Sequence, residues 1–217
     1  MKIVILADIH GKIGAVERLD EPLSQADVVL VAGDITNFGD AEQAAGVIDR
    51  IRRHAGRVLA VAGNCDPPAV EAWLTQTGIN LHGQAVNVDS WWFVGAAGAL
   101  SNYGSLPNET GELLFTEALD RASMQCGSTD RLVLVTHQPA WNTALDAVAP
   151  GHCAGNRAIR AFIDRAQPRL AVSGHIHELI GTDRLGPTTL VNPGPAKQGR
   201  WAVIDLNEDH VDVRLYP

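Results

Sequence analysis

Seven side chains able to bind a metal ion fall at five places in the chain. They are Asp8 and His10 in "ADIH", Asp34 in "AGDI", Asn64 in "AGNCD", His137 in "VTHQ", and His175 and His177 in "SGHIH". Residues two apart on an extended segment can point the same way, so Asp8 and His10 form one natural pair, and His175 and His177 another. Each signal is weak alone. An aspartate after an apolar run is ordinarily a turn residue or a helix cap. A lone histidine is ordinarily a satisfied polar group, which is how His54, His82 and His210 are read. The set carries more than its members. Four imidazoles, two carboxylates and one carboxamide are too many donors for one tetrahedral ion, and the absence of a thiolate argues against structural zinc. They suit two transition ions sharing a bridging carboxylate, roughly 3.5–4 Å apart. Imidazole-rich ligation favours such ions over Mg or Ca.

The elements that must position these residues are short and almost uniformly apolar. "KIVILA" (2–7), "VVLVA" (28–32), "RVLAVA" (57–62), "RLVLVT" (131–136) and "RLAVSG" (169–174) each lead into one of the five places. Continuous apolar runs predict strands covered on both faces. In open α/β sheets, ligand sites gather beyond the carboxyl ends of strands, so residues scattered along the sequence can converge there. Further strands are predicted at 91–97, 188–192, 200–206 and 211–216, the last two as a hairpin across "NEDH". Asp40 with Gln43 resembles a capping box, and Ile48 and Ile51 continue that helix towards Gly56. Pro67-Pro68 suits a helix start. Asn156 can cap a helix with Ile159, Phe162 and Ile163 on one face, stopped by Pro168. The turn-rich stretch 98–112 is the best long loop, a rim or lid or else a solvated connection.

As an ordered set, Asp8-x-His10, Gly33-Asp34, Gly63-Asn64-Cys65-Asp66, His137 and Gly174-His175-x-His177 resembles the calcineurin-like metallophosphoesterases. "VNPGPA" (191–196) is similar to the Asn-Pro-Gly turn that follows in that family. The resemblance implies an α/β fold, a two-sheet mixed β sandwich flanked by helices in four αββα layers, with residues 1–217 as a single domain. It implies that Asp8, His10 and His177 hold one metal, that Asn64, His137 and His175 hold the other, and that Asp34 bridges them. The implied cofactors are two divalent ions among Mn, Fe, Co, Ni and Zn, with Mn favoured. The implied reaction is phosphoester hydrolysis by a bridging hydroxide, because two cations acidify a shared water and neutralise phosphate oxygens. Asn64 suits a catalytic role too, since its carbonyl can ligate while its NH₂ donates to phosphate.

One position departs from the pattern. Many members carry a histidine after the motif asparagine, held by the next acid; here Cys65 stands there, with Asp66 retained. An ordinary thiol is a poor proton donor in place of imidazolium near pH 7. Cys65 is therefore read as a small buried group and Asp66 as a turn or cap residue. His152, in "APGHCAG", is the candidate replacement, as a substrate contact or proton donor reaching in from a loop.

Composition bounds the rest. The 217 residues carry a formal net charge of −8, which disfavours nucleic acid as a partner. The N-terminal apolar stretch is interrupted by Asp8 and is too short for a signal peptide or a membrane span. Three cysteines without paired spacing predict a reduced compartment, hence the cytoplasm. The expected partner is a small phosphoester, most consistent with a phosphodiesterase on a nucleotide-like substrate, with a phosphomonoesterase as runner-up; oligomeric state is left open. The rival of another class is a protein-binding scaffold, as in the retromer subunit that shares this resemblance, and it predicts eroded ligands.

Overall fold

The computed structural model describes residues 1–101, 106–128 and 130–217. Two large mixed sheets form its centre. The first runs Val211–Tyr216, Trp201–Leu206, Lys2–Leu6, Val28–Ala32, Val58–Val61 in spatial order. Its last three strands are parallel, while Trp201–Leu206 pairs antiparallel with Lys2–Leu6 and with Val211–Tyr216. The second runs Gly181–Leu185, Thr188–Asn192, Leu170–Val172, Leu132–Thr136, Trp91–Ala96, Ala85–Val88. Its four inner strands are parallel, and the two outermost are antiparallel to their neighbours.

Alternation along the strand Leu132–Thr136 shows how the layers stack. Val133 and Val135 share one apolar cluster with Ile3, Ile5, Val29 and Val31 of the first sheet. Leu132 and Leu134 join a second cluster with Phe115, Leu119, Ile159 and Phe162 of the helices Glu112–Ser123 and Arg157–Ala166. Successive side chains of a strand point to opposite faces, so one face packs on the other sheet and one on helices. The helices Ala41–Arg52 and Pro68–Gln76 bury Val47, Ile48, Ile51, Val70 and Leu74 in the first cluster. The result is the four-layer αββα arrangement. Each fully buried Val, Leu or Ile contributes about 1.5–3 kcal/mol, so the centre of the sandwich is its rigid part.

The predicted caps are present. Asp40 accepts a 3.0 Å hydrogen bond from Gln43 N at the start of its helix. Asn156 accepts from Ala158 N and Ile159 N, and its helix ends at Gln167 in a left-handed conformation before Pro168. The "NEDH" hairpin closes through Asn207, whose Oδ1 accepts from Asp209 N and His210 N. Of the predicted loop 98–112, Ala99–Leu100 pairs with Glu109–Thr110, Glu112 already begins a helix, and 102–105 lie outside the described residues. That helix was not among the predicted elements. Its buried side at Phe115, Ala118, Leu119 and Ala122 has helical spacing, but exposed Leu113 and Leu114 blur the stripe. Among the described residues no helix is long and apolar enough to cross a membrane.

Candidate metal centre

All five places lie just past the C-terminal ends of parallel strands, at one edge of the sandwich. The backbone there leaves the ordinary regions. Asp8 (φ 54°), His10 (φ 49°), Asp34 (φ 49°) and His175 (φ 68°) are left-handed, a conformation most side chains resist. Hydrogen bonds between turns impose it: Asp8 N donates to Gly33 O at 3.1 Å, His10 N to Asp34 O at 2.8 Å, and Gly174 N to His137 O at 2.9 Å. Strain of this sort collects at functional sites, where surrounding structure over-determines it.

The glycine before each of three candidate ligands is there for space. A Cβ on Gly63 would stand 2.1 Å from Asp34 Oδ1, one on Gly33 2.3 Å from His137 Nδ1, and one on Gly174 2.6 Å from Asp8 Oδ2. Each glycine therefore makes room for a side chain from another strand, and Gly-Asp, Gly-Asn and Gly-His pairs interlock.

The seven side chains converge. Ligand atoms of Asp8, His10 and His177 lie within 4.8 Å of one another, as do those of Asp8, Asp34 and His137. Asn64 Oδ1 lies 2.7 Å from His137 Nε2 and 3.0 Å from His175 Nδ1. Asp34 sits between the groups, with Oδ2 3.4 Å from His10 Nε2 and Oδ1 3.5 Å from His137 Nε2. Asp8 accepts His175 N on its carboxylate and lies 3.2 Å from His177 Nε2. Burial is deep: His137 is fully buried, Asp8 is 1% exposed and Asp34 3%, while His10, His175 and His177 are half-buried and form the open side.

The polar atoms of this cluster fit a cation better than they fit one another. Both ring nitrogens of His10 and Nε2 of His177 are buried with no hydrogen-bond partner. His137 Nδ1 is 2.9 Å from Ala32 O, and donating there leaves the Nε2 lone pair facing the carbonyl oxygen of Asn64. Fixing one ring nitrogen on a backbone carbonyl is the usual way to orient a metal-binding imidazole. The electrostatics agree. Burial, assisted by His137, lowers His175 to about 4. Burial also lowers His10, with Asp34 opposing it. Burial raises Asp8, but the contact with His177 and the nearby imidazoles outweigh it and hold it below the usual carboxylate range. An Asp8 carboxylate held in its ionised form beside His10 and His175 rings held neutral presents donor states that a divalent ion needs.

Asp66 ligates nothing in this cluster; it is buried and accepts hydrogen bonds from Ile35 N, Thr36 N, Thr36 Oγ1 and Gly63 N at 2.8–3.0 Å. It thus ties the turn carrying Asp34 to the turn carrying Asn64. Cys65 N donates to Asp34 Oδ1 at 2.8 Å, while the thiol, buried and facing Asp34, has its pKa pushed far up. His152 is not brought into the cluster. It is exposed on the hairpin of Ala147–Ala149 and His152–Cys153, with Nδ1 3.1 Å from Pro150 O. That hairpin is anchored beside the site, since Gln138, next to His137, donates to Ala154 O at 2.7 Å. Sequence reasoning missed Asn108, which donates its backbone N–H to Asn64 O and its Nδ2 to Gly63 O, each at 3.2 Å. Nothing in its local sequence marks it. The "VNPGPA" turn closes the opposite side: Asn192 Nδ2 donates to Ile176 O, Ala196 N to Ala7 O and Lys197 N to Asp8 O.

Residues 1–206 match the family model of the calcineurin-like phosphoesterase superfamily domain. The chain belongs to that superfamily. A relative of similar size is an uncharacterized protein of Methanocaldococcus jannaschii, 33% identical over 202 residues, covering 90% of this chain and 88% of that protein. A shorter stretch resembles phosphodiesterase YfcE of Escherichia coli K12, 36% identical over 74 residues, which is 30% of this chain and 40% of YfcE. A dimetal phosphatase from Danio rerio has the same fold, with a TM-score of 0.70 at 12% identity over 99% of this chain and 95% of that one.

Proposed function

We propose that this chain is a dinuclear metal-dependent phosphoesterase, most suited to phosphodiesters of small, nucleotide-like alcohols. The observation that carries the reading is the convergence of seven donor side chains with unsatisfied buried ring nitrogens at the strand ends. In this assignment Asp8, His10 and His177 hold one ion, Asn64, His137 and His175 hold the second, and Asp34 contributes to both. Bound divalent ions, Mn foremost, supply Lewis acidity that acidifies water and neutralises charge on phosphoryl oxygens. The chain's own residues do the rest. Asp34 and Asp8 supply the anionic charge, and the glycine-packed turns fix their positions. The carbonyl of Asn64 faces the imidazoles, and its NH₂, 4.0 Å from Cys65 Sγ, would be the donor to a phosphate oxygen. Water exclusion by the buried sandwich edge strengthens each of these interactions.

Diesters are favoured over monoesters because the position after Asn64 holds a buried neutral thiol, with no cation to pair with the additional charge of a monoester. The likeness of a 74-residue stretch to phosphodiesterase YfcE supports the same preference. His152, from its exposed hairpin, is the proposed contact to substrate or donor to the leaving group; its Nε2 is the free ring atom if Nδ1 donates to Pro150 O. An acidic net charge supports a small substrate over nucleic acid, and three free cysteines support a reduced, cytoplasmic setting. The intact donor set speaks against the scaffold reading.

The test is turnover of bis(p-nitrophenyl) phosphate and p-nitrophenyl phosphate by protein loaded with Mn, Co, Ni or Zn, with metal content measured alongside. Hydrolysis with two ions per chain and a higher rate on the diester is expected. No turnover of either ester with any ion would sink the reading. Asp34→Asn should halve the carboxylate charge of the cluster and nearly abolish hydrolysis; near-normal turnover would rule out a shared bridging role.

A further inference from the structure

Phe38 is held in a conformation that its side chain resists, and it is left in solvent. Its φ is 62°, and it is 53% exposed. A positive φ in a bulky residue is a true outlier. Among the described residues, the other non-glycine positions with positive φ are Asp, Asn, Ser, Gln or His. Core packing does not explain it, since Phe38 belongs to neither apolar cluster.

The restraint comes from the site itself. Phe38 N donates to Cys65 O at 3.2 Å, directly after the candidate ligand Asn64. Two residues earlier, Thr36 is fixed by Asp66 through its N–H and its hydroxyl, both at 2.8 Å, and Thr36 Oγ1 accepts from Gly39 N at 3.2 Å. On the other flank Asn108 N donates to Asn64 O. The carbonyls of Asn64 and Cys65 thus clasp one residue on each side, and on one side that residue is an exposed aromatic ring. Strained backbone persists where surrounding structure enforces it, characteristically at ligand clamps.

We infer that Phe38 is a stacking platform for a nucleobase of the substrate. This rests on the phosphoester reading, which places a phosphate at Asn64. A base has a π-face of any identity, so a single ring gives affinity without base selectivity.

The experiment is calorimetric titration of Mn-loaded wild type and Phe38→Ala with adenosine 5′-monophosphate and with ribose 5-phosphate, which differ only in the base. Wild type should bind the nucleotide roughly tenfold or more tightly than the sugar phosphate. Phe38→Ala should bring that ratio close to one while leaving ribose 5-phosphate unchanged. Equal ratios in the two proteins would overturn the platform and leave the phosphoester reading standing. Loss of both ligands in Phe38→Ala would also overturn it, because Phe38 would then act only by shaping the turn. Failure of wild type to bind either ligand would overturn the platform, while the phosphoester reading is decided separately by the turnover of the metal-loaded protein on the diester. Phe38→Gly separates ring from backbone: glycine adopts this φ freely, so Tm should hold or rise while the tenfold preference is lost. A glycine variant that keeps the preference would refute the stacking role.

Discussion

The carboxylate of Asp66 accepts four hydrogen bonds from buried groups, and through them the turns bearing Asp34 and Asn64 share one anchor. Asp66→Ala would leave buried N–H groups unpaired, at about 1–3 kcal/mol each. We expect a fall in denaturation midpoint large for a single substitution, together with loss of metal content. A variant that unfolds like wild type would show that water replaces the carboxylate. Cys65 makes the opposite prediction. A positioned acid is worth roughly 10²–10⁴-fold in rate. Burial and the adjacent Asp34 keep this thiol protonated and make it a reluctant donor. Cys65→Ala at unchanged metal content should therefore lose less than about 10²-fold in kcat; a larger loss would make the thiol a participant.

At the scale of elements, the strand-to-turn junctions carry the site, and their glycines are the sensitive points. Gly174→Ala would set a methyl 2.6 Å from Asp8 Oδ2, and Gly63→Ala 2.1 Å from Asp34 Oδ1. Neither neighbour can give way without moving a candidate ligand. Both variants should keep wild-type far-ultraviolet circular dichroism, because the strands end before the substitution, yet bind fewer than two Mn ions per chain. Retention of two ions by elemental analysis would mean that the turns are more pliable than their packing indicates. The helix Arg157–Ala166 offers a control whose cap touches no candidate donor, the Asn156 side chain reaching Gln138 beside His137. Asn156→Ala removes a cap bonded to two N–H groups and should cost about 1 kcal/mol without altering metal content.

For the whole molecule, metal binding and folding are linked. Unfolding scatters seven donors gathered from residues 8 to 177, so ions bind the native state preferentially. At a free concentration about 100 times Kd, a bound ion stabilises by about 2.7 kcal/mol, and chelation should lower Tm accordingly. Protons compete with this binding. Burial alone would lower His137, but Asp34 and Asp8 outweigh it and raise its pKa, so this ring keeps its proton to higher pH. A metal ion must displace that proton, and affinity should rise with pH through the imidazole range. His175, lowered to about 4, is already neutral there and adds little. Mn titrations between about pH 5 and 8 should show affinity falling towards acid. A flat profile would exclude His137 as a ligand.

The sequence by itself determined the candidate donor set and the five strands that present it. Both are local: an uninterrupted apolar run can be satisfied only by burial on two faces, and the residue after it must leave the sheet. It also determined the caps at Asp40 and Asn156, which use backbone groups within three residues. The edge strand Gly181–Leu185 was not legible, because its polar side chains half face water and give no apolar run. The helix Glu112–Ser123 had the right period, obscured by two exposed leucines. Only the tertiary structure decided why glycines precede the ligands, since each one is emptied for a side chain from a distant strand. The same holds for Asp66, Asn108 and Phe38. Their roles come from hydrogen bonds between turns 27 to 45 residues apart, and no spacing in the chain encodes a contact of that range.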